Sequence, residues 1–307
     1  RRDRSNDLGI VDRHDPGHLR EPGPRERGDR DGPLRALVTN DDGVEAPGLR
    51  ALAAAAVEHG YRVTVAAPRD ESSGSSAALT AVVRRQRVVV TRRQVPGLDV
   101  DCVGVAASPG YIVVLATLGA FGPAPDLVLS GINRGANAGQ AVLHSGTVGA
   151  VLTAASAGRR GMAVSVDVLS PAGATDTGEG RALAAVDAST DDLRNWETAA
   201  DQARALFPAL EAAPEGTVLN LNVPDRPAGR VRGLRRARLA RFGQVQLAIA
   251  EVGEGFVRTV VEDAGSRREP GTDLAGLTSG YATVTALRAM VETDDVPLGD
   301  LAPELEG

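Results

Sequence analysis

Residues 38–49 read VTNDDGVEAPGL, and they mark the first junction of the fold. On the N-terminal side lies LRALVTN (34–40), a short apolar run that reads as a buried strand. On the other side PGLRALAAAAVEH (47–59) opens with proline, which suits a helix start, and puts Leu49, Leu52, Ala53 and Ala56 on one face. Gly60 stops that helix and YRVTVAAP (61–68) gives a second strand. Strand, helix, strand predicts two parallel strands with a right-handed crossover. Asn40, Asp41 and Asp42 therefore stand where a buried strand ends. Two adjacent carboxylates there each disfavour the other's charge unless something positive lies between them.

The same alternation continues. Residues 79–90 and 98–106 are expected strands, 110–119 a helix, and DLVLSG (126–131) a buried strand ending in glycine. The loop INRGANAG (132–139) follows. Residues 142–158 read as a helix closed by Gly158, MAVSV (162–166) as a strand, and 167–192 as a long polar loop. A helix over 194–211 and a strand over 217–224 come next. Beyond them short apolar pieces alternate with arginines, which predicts antiparallel hairpins rather than further βαβ units. Arg230, Arg232, Arg235, Arg236 and Arg238 form either a solvated face or a phosphate-attracting rim. TDLAGLTSGYATVTAL (272–287) ends in a strand.

With 307 residues, 42% of them hydrophobic, the chain has material for one substantial core. The net charge of -6 argues against binding a nucleic-acid duplex through its backbone. Cys102 is the single cysteine, so neither an internal disulfide nor a thiolate metal cluster can form. His14 and His18 lie in a polar leader, which leaves His59 and His144, a thin basis for a zinc site. Site chemistry is expected to use oxygen ligands. There is no run of about 18 apolar residues for a membrane span, and the charged start has no signal-peptide pattern, so a cytoplasmic protein is expected. Four parts are expected: a disordered or loosely attached leader (1–33), a catalytic domain (34–225), oligomerisation hairpins returning to the main domain (226–290), and a flexible tail (291–307).

Open α/β sheets bind ligands at the carboxyl ends of their strands. Three polar loops fall there: Asn40-Asp41-Asp42, Ser72-Ser73-Gly74 and Gly131-Ile132-Asn133. Their carboxylate, hydroxyl and amide oxygens suit one magnesium or manganese ion, with Asp41, Asp42, Ser73 and Asn133 as ligands. In the competing reading, Asp41 and Asp42 cap the following helix and Asn133 makes a turn. At the start of the 142–158 helix, Ser145, Gly146 and Thr147 offer backbone N–H groups and hydroxyls to an anion, or form an ordinary cap. No Walker lysine and no GxGxxG fingerprint are present, which disfavours ATP hydrolysis and NAD chemistry by those routes. A metal beside a helix start suits a phosphate ester. His144 is either a general acid or base, or a helix-start residue facing solvent or packing on the sheet.

In order, VTNDDGVEAPGL, VAAPRDESSGSSAALT, SGINRGANAG with HSGTVGA, LNLNVP and TDLAGLTSGYATVTAL resemble the segments of the SurE family over about residues 34–290. The resemblance implies metal-dependent phosphatases acting on nucleoside 5'- or 3'-monophosphates, with a Rossmann-like, mostly parallel α/β sheet flanked by helices. It also implies a C-terminal antiparallel hairpin, best matched by 230–260, exchanged between subunits of a homodimer or homotetramer. On the matching positions, the metal ligands fall on Asp41, Asp42, Ser73 and Asn133, with Asp41, Asp42 and Asn133 catalytic. Asn40, Asn137, Ser145, Gly146 and Thr147 fall on phosphate-side and supporting positions. The chain departs from the family pattern at ASPGYIV (107–113), Gln140-Ala141, His144 and Ala77-Ala78. These changes leave the metal ligands in place but alter the surroundings of the group carrying the phosphate. A phosphorylated small metabolite is therefore an alternative substrate, and a non-catalytic metal and nucleotide binding protein a further alternative.

Overall fold

The computed structural model describes residues 32–69, 76–84, 87–168, 188–241, 245–253, 256–263 and 269–292. Nearly all of the expected leader, Ser73, most of the expected 167–192 loop and most of the expected tail lie outside the described residues.

Strand β1 (Arg35–Thr39) leads into helix α1 (Pro47–Glu58) and then strand β2 (Arg62–Pro68), which pairs parallel to β1 as the sequence predicts. Strands β3 (Val83–Arg84), β4 (Arg87–Val88), β5 (Val90–Val95) and β6 (Leu98–Val105) follow, then helix α2 (Pro109–Thr117) and strand β7 (Leu127–Arg134). A 3-10 turn (Gly139–His144) precedes helix α3 (Gly146–Ser156), strand β8 (Arg160–Asp167), a second 3-10 turn (Ala188–Leu193), helix α4 (Trp196–Ala212) and strand β9 (Thr217–Pro224). The chain continues through β10 (Leu234–Arg236), β11 (Val245–Gly253), β12 (Phe256–Asp263), helix α5 (Asp273–Thr278) and β13 (Ala282–Arg288).

The main sheet runs β10-β13-β9-β8-β7-β1-β2-β6-β5. From β9 to β6 every neighbour is parallel, so the sheet is mostly parallel, as expected. Successive residues of a strand face opposite sides. Ala36 and Val38 accordingly join a core under α1 and α4, with Leu52, Phe207 and Leu210. Leu37 joins the other core, under α2 and α3, with Ile112, Val148 and Val151. With both faces covered, β1 and β7 are buried along nearly their whole length, without alternation. This sheet between two helical layers is the expected Rossmann-like architecture.

Several boundaries differ from the sequence reading. The strand expected to end at Gly131 runs on to Arg134, because one extra residue bulges from β7 between Ser130 and Asn133 against β8. Gly131 makes the bulge possible: its φ is +131°, and a side chain there would strike the Val164 carbonyl. The helix expected from residue 142 starts at Gly146, because the Ser145 hydroxyl accepts the Val148 N–H and caps it there. Thr272 caps α5, a helix too short to show periodicity.

The C-terminal part is only partly made of antiparallel hairpins. β11 and β12 form one, with backbone pairing from Val245↔Asp263 to Gly253↔Phe256. β13 rejoins the main sheet antiparallel to β9, and β10, in the stretch expected as hairpin, pairs with it in parallel at the edge. The arginines guard that edge. Arg230, Arg232, Arg235, Arg236 and Arg238 are all exposed, with Arg232 and Arg235 stacked over the Tyr281 ring at 4.8 and 3.6 Å. They form a solvated face. Among the described residues no helix is long and apolar enough to cross a membrane.

Candidate active site

Asn40 is fully buried and builds the turn at the end of β1: its Nδ2 donates to the Gly43 carbonyl at 3.0 Å, and the Gly43 N–H donates to its Oδ1 at 3.2 Å. This turn presents Asp41 and Asp42 side by side. Asp41 accepts a hydrogen bond from Thr147 Oγ1 at 2.6 Å, which ties it to the first turn of α3. Asp42 accepts one from Arg134 Nη1 at 3.1 Å and a longer one from the Arg134 N–H at 3.4 Å. The two carboxylates are thus held by different neighbouring elements, and helix capping of α1 is not their role: its N-cap, Ala46, makes no side-chain bond.

Asn133 lies just past the bulge of β7, one residue before Arg134, and its Nδ2 donates to the Gly135 carbonyl at 2.7 Å. The extra residue of the bulge brings this amide to the same sheet end as the aspartates, since β7 pairs directly with β1 through Thr39↔Ser130. Asn137 is clamped by four hydrogen bonds. Its N–H donates to Asn222 Oδ1 at 2.8 Å and its Nδ2 to Ser165 Oγ at 2.9 Å. Its carbonyl accepts from Asn220 Nδ2 at 2.8 Å and from Asn222 Nδ2 at 3.0 Å. Gly139 N–H then donates to the buried Asp273 carboxylate at 2.7 Å.

Ser145, Gly146 and Thr147 form the cap and opening of α3, and all three are buried. Ser73 lies outside the described residues. The segment just after it packs directly on α3: a side chain at Gly149 would strike the Ser76 carbonyl, and Ser76 Oγ donates to the Leu143 carbonyl at 2.6 Å. His144 is exposed at the end of the 3-10 turn.

The sequence reading missed Arg134, Asp191 and Asp273. Arg134 stood in full view beside Asn133, but its second partner, Asp191, is 57 residues away in a stretch read as loop. Asp273 bridges three segments that no local pattern links: it accepts N–H bonds from Gly139, Ala240 and Leu274, and it is fully buried. Burial pushes its carboxyl above the usual range, against the pull of those amides.

Among the described residues no group of three or more His, Cys, Asp or Glu is placed to hold a metal ion. The candidate site is of another composition: two carboxylates and an amide oxygen, with β1, β7 and α3 converging. Such a hard oxygen set fits magnesium or manganese by its chemistry.

A family model described as Survival protein SurE matches residues 36–246. The chain belongs to the SurE family. SurE relatives named 5'-nucleotidase SurE include those of Stenotrophomonas maltophilia (strain K279a) and Pseudomonas aeruginosa (strain LESB58). Each is 34% identical over 83% of this chain, covering 90% and 92% of the respective relative. A 5'/3'-nucleotidase SurE of Edwardsiella ictaluri (strain 93-146) is 33% identical over 83% of this chain and 90% of its own length. The crystal structure of the SurE protein from Aquifex aeolicus aligns with a TM-score of 0.62 and 27% identity, covering 83% of this chain and 93% of that one. SurE membership supports phosphatase-type hydrolase activity in general terms, and the fold matches that of the SurE structure.

Proposed function

We propose that the chain is a divalent-metal-dependent phosphomonoesterase that hydrolyses nucleoside 5'- or 3'-monophosphates to nucleoside and phosphate. The observation that carries this reading is the Asp41–Thr147 hydrogen bond. It joins a carboxylate pair suited to a hard cation to a helix N-terminus suited to a phosphate. The names of the SurE relatives support the nucleotide as substrate.

Asp41, Asp42, Asn133 and Ser73 would hold one magnesium or manganese ion. The ion, when bound, supplies Lewis-acid polarisation of a phosphoryl oxygen and activation of water. The first-turn amides of α3 have no backbone partner within the helix and form the positive end of its dipole. Gly146 and Thr147 there would receive the negative charge that grows on phosphate during attack. Asn40 and Asn137 keep the two loops in shape from below, through the bonds already described. The Thr147 hydroxyl keeps Asp41 turned toward this shared space.

The deciding experiment is phosphate release from metal-stripped protein, supplied with magnesium or manganese and challenged with nucleoside 5'- and 3'-monophosphates, sugar phosphates and an aryl phosphate. Release that needs the metal and favours one nucleotide series is expected. Release solely from a non-nucleotide would reassign the substrate, and binding without any release would leave a non-catalytic protein.

We also propose a homodimer or homotetramer assembled by exchange of the β11–β12 hairpin. Among the described residues its two strands pair with each other and with no strand of the main sheet. Joining residues 244 and 264 by a short glycine linker is expected to give monomers in light scattering. An unchanged oligomer would reject hairpin exchange.

A further inference from the structure

Arg134 lies between two carboxylates of different origin. Toward the site, its Nη1 donates to Asp42 at 3.1 Å. Away from it, Nε and Nη2 make a two-pronged pair with Asp191 Oδ1 and Oδ2 at 2.8 and 3.0 Å. Side-chain exposure is 6% for Arg134 and Asp42 and 13% for Asp191, so solvent screens these charges little. A guanidinium held by both prongs of a carboxylate is fixed in direction as well as position. Asp191 is anchored in turn: Trp196 Nε1 donates to its carbonyl at 2.9 Å. A few residues on, Arg194 and Asn195 bind Asp225 just beyond β9.

We infer that Arg134 is a positioning residue that sets the affinity of the site for its divalent cation. Held by Asp191, it places a permanent positive charge against Asp42. It keeps Asp42 in place while no ion is bound, and it opposes the ion electrostatically once one arrives. The inference rests on the metal reading of Asp41 and Asp42 given above. It adds that the site is tuned by its neighbours toward loose, exchangeable binding.

Arg134 and Asp191 then act on affinity with opposite signs. Removing the guanidinium leaves the pair more negative and tightens cation binding. Neutralising Asp191 removes one of the negative charges held against the guanidinium and weakens cation binding. A role confined to holding the fold together would move both variants in the same direction.

The test is calorimetric titration of Mn2+ into the metal-stripped full chain, with circular dichroism to confirm folding. Arg134→Gln is expected to bind about tenfold more tightly than wild type and Asp191→Asn about tenfold more weakly, with Arg134→Lys within about threefold of wild type because it keeps the charge. Turnover of Arg134→Gln on an aryl phosphate is expected to fall although the ion is held more tightly, because Asp42 loses the side-chain bond from the guanidinium and keeps only the longer one from the backbone N–H. Wild-type binding with both variants shifted the same way, or neither shifted, overturns the inference and leaves the metal reading intact. Absence of Mn2+ binding by wild type overturns the metal reading, and the inference with it. Should Arg134→Gln not fold, an unchanged affinity in folded Asp191→Asn is itself enough to overturn the inference.

Discussion

Asp41→Asn is expected to lose turnover by about 10³-fold or more while keeping its fold. Asparagine retains an oxygen that can accept the Thr147 hydroxyl, whose bond to Asp41 is 2.6 Å long. What disappears is one negative charge of the pair proposed above to hold the cation. Asp42→Asn should differ in an informative way. It loses a comparable amount of turnover and also weakens the buried contact with Arg134, for a further cost of about 1–3 kcal/mol in stability. Steady-state kinetics, metal content and urea melts on both variants separate the two effects. A fully active Asp41→Asn with normal metal content would remove the carboxylate pair from the chemistry.

The second large effect belongs to Asp273. It is fully buried and accepts N–H groups from Gly139, Ala240 and Leu274. Asp273→Ala strands three backbone donors and is expected to cost about 3–5 kcal/mol. Asp273→Asn keeps one side of the carboxylate's acceptor geometry and should cost about 1–2 kcal/mol. The pH dependence has a definite sign. Burial raises the carboxyl's pKa in the folded state, so the folded protein keeps this proton to higher pH than the unfolded chain does. The stabilisation from this group is complete below the unfolded value of about 3.9 and is lost as pH rises through the raised value. Asp273→Asn removes that slope. Urea melts across the acidic range measure it, and identical slopes in wild type and variant would show that the carboxyl is not raised.

Much of the fold was legible because β1, α1 and β2 each carry a complete local signal. β1 and β2 are short apolar runs, α1 opens at Pro47 and closes before Gly60, and the parallel pairing follows from their order. The cap at Ser145 was visible in type but not in place, since 3-10 and α turns draw on the same residues. A return of 226–290 to the main domain was expected, but the antiparallel pairing of β13 with β9, with β10 parallel at the edge, was not legible. Such pairings depend on contacts distant in sequence, where period and turn chemistry are silent. At the site, adjacency of Asp41 and Asp42 announced itself, and so did the serine and threonine of α3. The positive partner expected for the pair was a divalent cation; the Arg134 guanidinium beside Asp42 was not foreseen, because one residue in a glycine-rich loop reveals nothing of its distant partner Asp191.

The clamp on Asn137 bears on how this enzyme can change over time. Its N–H, carbonyl and side-chain amide are all taken up by Ser165, Asn220 and Asn222 from β8 and β9. An insertion or deletion between the bulge and this residue would break several of those bonds together, so the loop has little freedom to acquire a new shape by small steps. Selection for another substrate is channelled elsewhere, to exposed positions such as Gln140, Leu143 and His144, whose replacement disturbs no comparable network. Libraries aimed at altered specificity should vary those positions and leave 133–139 untouched.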